Sequence, residues 1–421
     1  MRINMPFRCL VKGSILFLAL AGLGCEQEPP PFVCGDGIGC VDVGPEEPLK
    51  FGVLQALSGK VAPLGQEQIR GIELALAKHH KVLLGHPIVL QIEDDGCTAE
   101  GGANAALKVI ADPQIVAILG STCSGAAVTA SAAMSKAGLT MISGNNSAPF
   151  LTAIAGKKAP HWQAGYFRTV PNEEASGKAA AHYAFEKLGV RRAATINDGD
   201  IYTRGLTEGF EEAFRQKGGE IVLSTAVDKG DDQMQPFLTA VLNAEAQLLF
   251  FPLFQPEGNR ILFQARETAG FEQVVLMSDG ALIEKSFLEA VGDKGKGLYF
   301  VGPAKPSGPA VDALEQQYRL TFQSSPSAIY YQNAYDSVNL LFAAIEKVAV
   351  QEADGTLHIG RQALREAMVA TRMDDGVTGQ LSCDAFGDCA RPIFNVLRLD
   401  DPAAGVEGLL ANVLFTYGPQ P

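Results

Sequence analysis

Residues 92–152 read IEDDGCTAEGGANAALKVIADPQIVAILGSTCSGAAVTASAAMSKAGLTMISGNNSAPFLT, and this stretch decides the fold. Two short apolar runs within it, 115–119 and 139–142, each end in hydroxyl- and amide-bearing residues, with a helical segment between them. Short buried strands alternating with helices are the grammar of a parallel sheet. Loops at the carboxyl ends of such strands line a ligand crevice, so the polar residues after each run are the first candidates for binding.

The same alternation continues along the chain. Further strand candidates lie at 50–55, 88–92, 193–196, 221–226, 247–251, 274–277 and 298–301. Residues 66–78 put Ile69, Ile72 and Leu76 on one helical face, and Leu340, Ile345 and Val348 recur in the same way later. These stripes are core. The pattern breaks at YFRTVPNEEASG, where Pro171 and its polar neighbours end one set of units before another opens at Ala193. About 370 residues of this kind exceed one ordinary core and make two α/β lobes with a cleft.

The amino terminus gives an address. Arg2, Arg8 and Lys12 precede an apolar run, 13–24, that is too short for the ~20 residues of a membrane span and suits a signal peptide, 1–24. The run ends LALAGLGC, which resembles the lipobox of bacterial lipoproteins and nominates Cys25 for lipid attachment. Residues 25–48, rich in Pro, Gly and acids, are then a flexible tether. Loss of the leader's three basic residues takes the net charge from −13 to −16, which repels phosphate backbones and excludes nucleic acid as a partner.

Six cysteines remain after Cys9 and Cys25. They fall into local couples, Cys34 with Cys40, Cys97 with Cys123, and Cys383 with Cys389. In an exported chain such couples favour disulfides, although spacing alone leaves other pairings open. Zinc is the rival reading; the scattered histidines form no CxxC or HxxxH cluster, so no metal is expected.

At EDDGC, TCS and the loop 143–148 the chain resembles the type I periplasmic binding proteins, most nearly the leucine/isoleucine/valine-binding receptors of ABC importers. The resemblance runs from about Leu49 to the carboxyl terminus. It implies two Rossmann-like lobes, 49–168 with 304–374 and 169–303 with 375–421, joined by a three-strand hinge with the ligand in the cleft between them. It also implies a Cys97–Cys123 disulfide, whereas the Cys34–Cys40 and Cys383–Cys389 couples have no counterpart in the pattern. Ser124 and Ser147 fill the places that hold a ligand carboxylate, with Asn146 contributing backbone, and a helix N-terminus suits such an anion. Tyr202 corresponds to a tyrosine that closes over the ligand, Phe254 to an aromatic contact, and Asp279 to the acid that pairs with a ligand ammonium. Each also has a plain structural use: helix N-capping for the serines, packing for the aromatics, an Asp-Gly turn for Asp279. Leu64 replaces the usual tyrosine or tryptophan, and Asp279 is one carbon shorter than the usual glutamate, so the pocket is reshaped.

Catalytic patterns are missing. No G-x-S-x-G surrounds Ser124, the glycines of CGDGIGC precede no strand-helix unit, and NDGD lacks the further ligands of an EF-hand. The expectation is a monomeric periplasmic lipoprotein of a Gram-negative bacterium, anchored to a membrane by its lipid. It captures an amino acid or related small carboxylate without a cofactor, delivers it to an ABC permease, and is not an enzyme. The alternative is a ligand-sensing receptor of the same fold uncoupled from transport.

Overall fold

The computed structural model describes residues 32–419. The signal peptide, Cys25 and the first part of the tether lie outside the described residues. From Cys34 onward the chain forms one compact unit built on two large sheets.

The first sheet has the spatial order Val82–Leu83, His86–Asp94, Leu49–Gln55, Ile115–Gly120, Thr140–Ser143 and Tyr166–Arg168. Its strands run parallel apart from the short outer Val82–Leu83. Leu49–Gln55 therefore pairs with the next strand on one side and with the third on the other, which makes a topological switch point between Leu49–Gln55 and Ile115–Gly120. Every residue of Ile115–Gly120 and Thr140–Ser143 is buried, as an inner strand covered on both faces requires. Helix Ala62–Lys78 buries Ile69, Ile72 and Leu76 as its spacing predicts and packs on helix Tyr331–Val348. At Gly71 the two approach so closely that a Cβ would lie 2.1 Å from the Tyr331 carbonyl oxygen.

The second sheet repeats the plan as Glu220–Ala226, Arg192–Asn197, Leu248–Phe250, Val275–Asp279 and Tyr299–Pro303, all parallel. Two antiparallel strands, Phe394–Arg398 and Val413–Tyr417, extend its far edge. Three passages join the sheets: after Arg168 into helix Glu174–Glu186, after Pro303 toward helix Pro309–Phe322, and from the hairpin Arg372–Met373/Leu381–Ser382 to Phe394.

One expectation is corrected. The tether reading fails from Cys40 onward, because Cys40–Val43 is a strand paired antiparallel with Leu357–Gly360. Val41 and Val43 are buried there, and Asp36 accepts the Ala363 N–H at 3.0 Å. Alternating apolar residues pay for this pairing with a partner some three hundred residues away, which local composition does not register. All three cysteine couples are disulfides, Cys34–Cys40, Cys97–Cys123 and Cys383–Cys389. Among the described residues no group of three or more His, Cys, Asp or Glu is placed to hold a metal, and no helix is long and apolar enough to cross a membrane.

Candidate functional site

At the first sheet's switch point, the loop 120–124 leaves Ile115–Gly120 and enters helix Ser124–Lys136. Its shape is fixed by buried polar groups. Asp95 accepts the N–H groups of Cys97 (2.8 Å) and Thr122 (3.1 Å), and burial pushes its carboxyl up to about 6. Thr122 Oγ1 accepts the Ala56 N–H at 2.8 Å and donates to Gln55 Oε1 at 2.7 Å. The Cys97–Cys123 disulfide staples the same corner. Ser124 opens the helix, whose first N–H groups have no carbonyl partner within it.

The neighbouring loop 143–148 is wound around Ser143, whose Oγ accepts the N–H groups of Asn145 (3.0 Å) and Asn146 (2.9 Å). Ala148 N–H donates to Ser124 Oγ at 3.2 Å, which joins the two loops. Ser147 Oγ donates to Glu173 Oε2 at 2.8 Å. Opposite, Tyr202 near the start of helix Ile201–Gln216 donates its hydroxyl to Asp279 Oδ2, and its ring lies 5.0 Å from that of Phe254. Asp279 ends its strand and also accepts the Ala281 N–H at 3.2 Å.

Leu64, Thr122, Ser124, Asn145, Ser147, Tyr202, Phe254, Ala281 and Tyr330 line one crevice between the two sheets. It encloses about 20 Å³, little more than one water needs, so the crevice is shut. Closure rests on small residues at the seam. A Cβ on Gly125 would lie 2.4 Å from Asp200 Oδ2, and one on Gly205 would lie 3.2 Å from Pro149 Cδ.

Two carboxylates dominate the electrostatics. Burial, reinforced by Asp279, pushes Glu173 up to about 8, and burial pushes Asp279 up to about 7. The hydroxyls of Tyr202 and Tyr330 are driven well above their usual range by burial beside both carboxylates. The nearby cation, Arg168, is engaged elsewhere: its Nε donates to Asp388 Oδ1 at 2.5 Å.

A nearly shut crevice between two parallel sheets, lined by hydroxyls, aromatics and a helix end, is the ligand architecture of a two-lobed binder. Residues 48–390 match the periplasmic binding protein family. The chain belongs to that family. The match is to its type I, branched-chain amino-acid branch. A Leu/Ile/Val-binding protein homologue from Brucella melitensis is 26% identical over 84% of this chain and 92% of its own length. The Leu/Ile/Val/Thr-binding protein of Salmonella typhimurium is 26% identical over 81% and 88%. The fold matches a leucine binding protein from Thermotoga maritima, with a TM-score of 0.73 and 22% identity over 84% of this chain and 96% of that one. It also matches an ABC transporter solute binding protein from R. palustris solved with benzoate, with a TM-score of 0.70 and 20% identity over 84% and 93%. As a member of this family the chain is a solute-binding protein.

The periplasmic binding protein fold brings Ser124, Ser147, Tyr202 and Phe254 to one crevice and sets Asp279 directly behind Tyr202. Asn146 does not line the crevice; its N–H donates to Ser143 Oγ (2.9 Å) and its carbonyl accepts from Arg168 Nη1 (3.1 Å). Its Oδ1 accepts the Ser121 N–H (3.1 Å) and the Tyr166 hydroxyl (3.2 Å), its Nδ2 donates to the Ser121 carbonyl (2.9 Å), and Asn145 lines the crevice in its place. Glu173 and Tyr330 went unnoticed in the sequence. Glu173 sits in the polar run read only as a passage between lobes.

Proposed function

We propose that this binding protein captures a zwitterionic amino acid of the branched-chain or a related small class and delivers it to an ABC permease. The reading continues as a monomeric periplasmic receptor of a Gram-negative bacterium, held to a membrane by lipid on Cys25. It acts as a binder, not a catalyst. The observation that carries the ligand class is the pair Glu173 and Asp279, both buried and both pushed upward, one bonded to Ser147 and the other to Tyr202 of the crevice lining. A buried acid pair gains most from a ligand cation, and a helix N-terminus from an anion, so an ammonium and a carboxylate on one small molecule satisfy both ends. The names of the curated relatives support the same class.

Thermal-shift and calorimetric screening of the full mature protein tests this. Leucine, isoleucine, valine and threonine are expected to stabilise it, by about 2.7 kcal/mol at 100 times the dissociation constant. Benzoate is the control, since an anion without an ammonium leaves the two acids unmatched. Tight benzoate binding with no amino-acid response overturns the zwitterion reading in favour of an aromatic acid stacked on Tyr202, Phe254 and Tyr330.

A further inference from the structure

The loop closed by the Cys383–Cys389 disulfide lines no part of the crevice. Inside it lies Asp388. Its carboxylate accepts from Arg168 Nε at 2.5 Å, from Thr152 Oγ1 at 2.9 Å and from Asn172 Nδ2 at 2.8 Å. The backbone is stitched as well: Arg168 N–H donates to the Gly387 carbonyl (2.9 Å) and Cys389 N–H to the Arg168 carbonyl (3.0 Å). Gly387 makes that approach possible. It has φ +100°, and a Cβ there would lie 2.1 Å from the Tyr166 carbonyl oxygen.

The far end of Arg168 points the other way. Nη1 donates to the carbonyls of Asn146 (3.1 Å) and Ala148 (2.8 Å), the two residues that bracket Ser147. The side chain is fully buried, so the guanidinium depends on these acceptors to satisfy its donors. A continuous relay thus runs from the disulfide loop through Asp388 and Arg168 to the crevice loop and, through the Ala148 N–H, to Ser124. We propose that the Cys383–Cys389 loop is a positioning device for the binding site, with Asp388 and Arg168 as positioning residues that hold the loop 145–148 in its ligand-ready form. The inference rests on the crevice being the ligand site. Asp388 touches no lining residue's side chain and acts through another group.

Hydrogen exchange on the full mature chain tests it without any ligand. In Asp388→Asn, and separately in Cys383→Ser/Cys389→Ser, amides of residues 143–151 are expected to exchange at least about tenfold faster, while the second-lobe helix Glu257–Glu267 keeps its parent rates. Leucine affinity, read by calorimetry, is expected to fall about tenfold in both variants. Unchanged exchange at 143–151, or equal acceleration in Glu257–Glu267, overturns the positioning role and leaves only a contribution to overall stability. Should Asp388→Asn not fold, the double cysteine variant decides alone, since it retains both charges. A parent that binds no amino acid overturns the ligand reading, and the exchange comparison still stands or falls by itself.

Discussion

The two walls of the crevice are chemically opposite. The residues with which the first lobe lines the crevice, Thr122, Ser124, Asn145 and Ser147 around a helix end, are all neutral, whereas Asp279 lies behind Tyr202 with Glu173, the acceptor of the Ser147 hydroxyl, beside it. The neutral wall is preorganised by hydrogen bonds within the lobe, such as those converging on Ser143 and Asp95. The acidic wall is frustrated, because its two carboxylates are desolvated beside each other. A wall of fixed dipoles can bind an anion without reorganising; a wall of strained acids needs a cation to become comfortable. On the proposed reading, this asymmetry orients the ligand.

The largest effect should come from the acidic wall. Asp279→Ala removes half of the cation site and should cost about 2 to 5 kcal/mol of amino-acid binding, roughly 30-fold or more, as truncated buried charge pairs do. Calorimetry with the best amino acid of the screen checks it, and an unchanged affinity breaks the contrast between the walls.

The pH dependence follows in size. Both carboxyls lie above their unfolded values, so the folded protein binds more protons than the unfolded chain between about pH 4 and 8. Stability without ligand should therefore be greatest at the acid end of that window and fall as pH rises through it. Amino-acid affinity should run the opposite way, rising about tenfold from pH 6 to 8, because an ammonium needs the ionised acids and releases a proton on binding. Glu173, Asp279, Tyr202, Tyr330 and Arg168 are the groups around this site, with Asp95 behind Thr122; the two tyrosines are held well above the window, and Asp95, pushed up to about 6, adds to the stability trend. Glu173→Gln should flatten both trends. Affinity that falls with pH removes the cation site.

Closure is tested at the seam. In Gly125→Ala the added methyl meets Asp200, which cannot yield because it accepts the Tyr202 N–H at 3.0 Å and Lys229 Nζ at 2.9 Å. Alanine suits a helix better than glycine, so melting should not fall, but affinity should drop about fivefold to tenfold as the lobes are propped apart. Small-angle scattering of the ligand-saturated variant should show a larger radius than the parent.

The smallest effect belongs to the neutral wall. Ser124→Ala loses one hydroxyl, and with helix N–H donors remaining the cost should be about 0.5 to 1.5 kcal/mol by calorimetry. A loss as large as that of Asp279→Ala would make the hydroxyl, not the helix end, the anion site.

Much of this was legible in the sequence. Strands such as Ile115–Gly120 and Val275–Asp279 announced themselves because a buried parallel strand is an unbroken apolar run. Ser124 was legible because it stands at the start of a helix that follows such a strand, whereas Tyr202 came from the family resemblance alone. Glu173 was not, since nothing local separates an acid that faces a crevice from one that faces water; its neighbour Glu174 instead accepts the Ala155 N–H and the Lys178 ammonium. The loop asparagines show a related gap. Which of two adjacent asparagines points into the site is set by Ser143 and Tyr166, and a sequence does not record that choice.

The strand Cys40–Val43 carries a mechanical consequence. It pairs with Leu357–Gly360, its His358 bonds Asp42 at 2.8 Å, and the Arg361 N–H donates to Gly39. Whatever force enters from upstream of Cys34 is loaded in shear onto an antiparallel ladder of the first lobe. The amino-terminal segment is thus fastened to the first lobe at a ladder that shares no residue with the crevice lining.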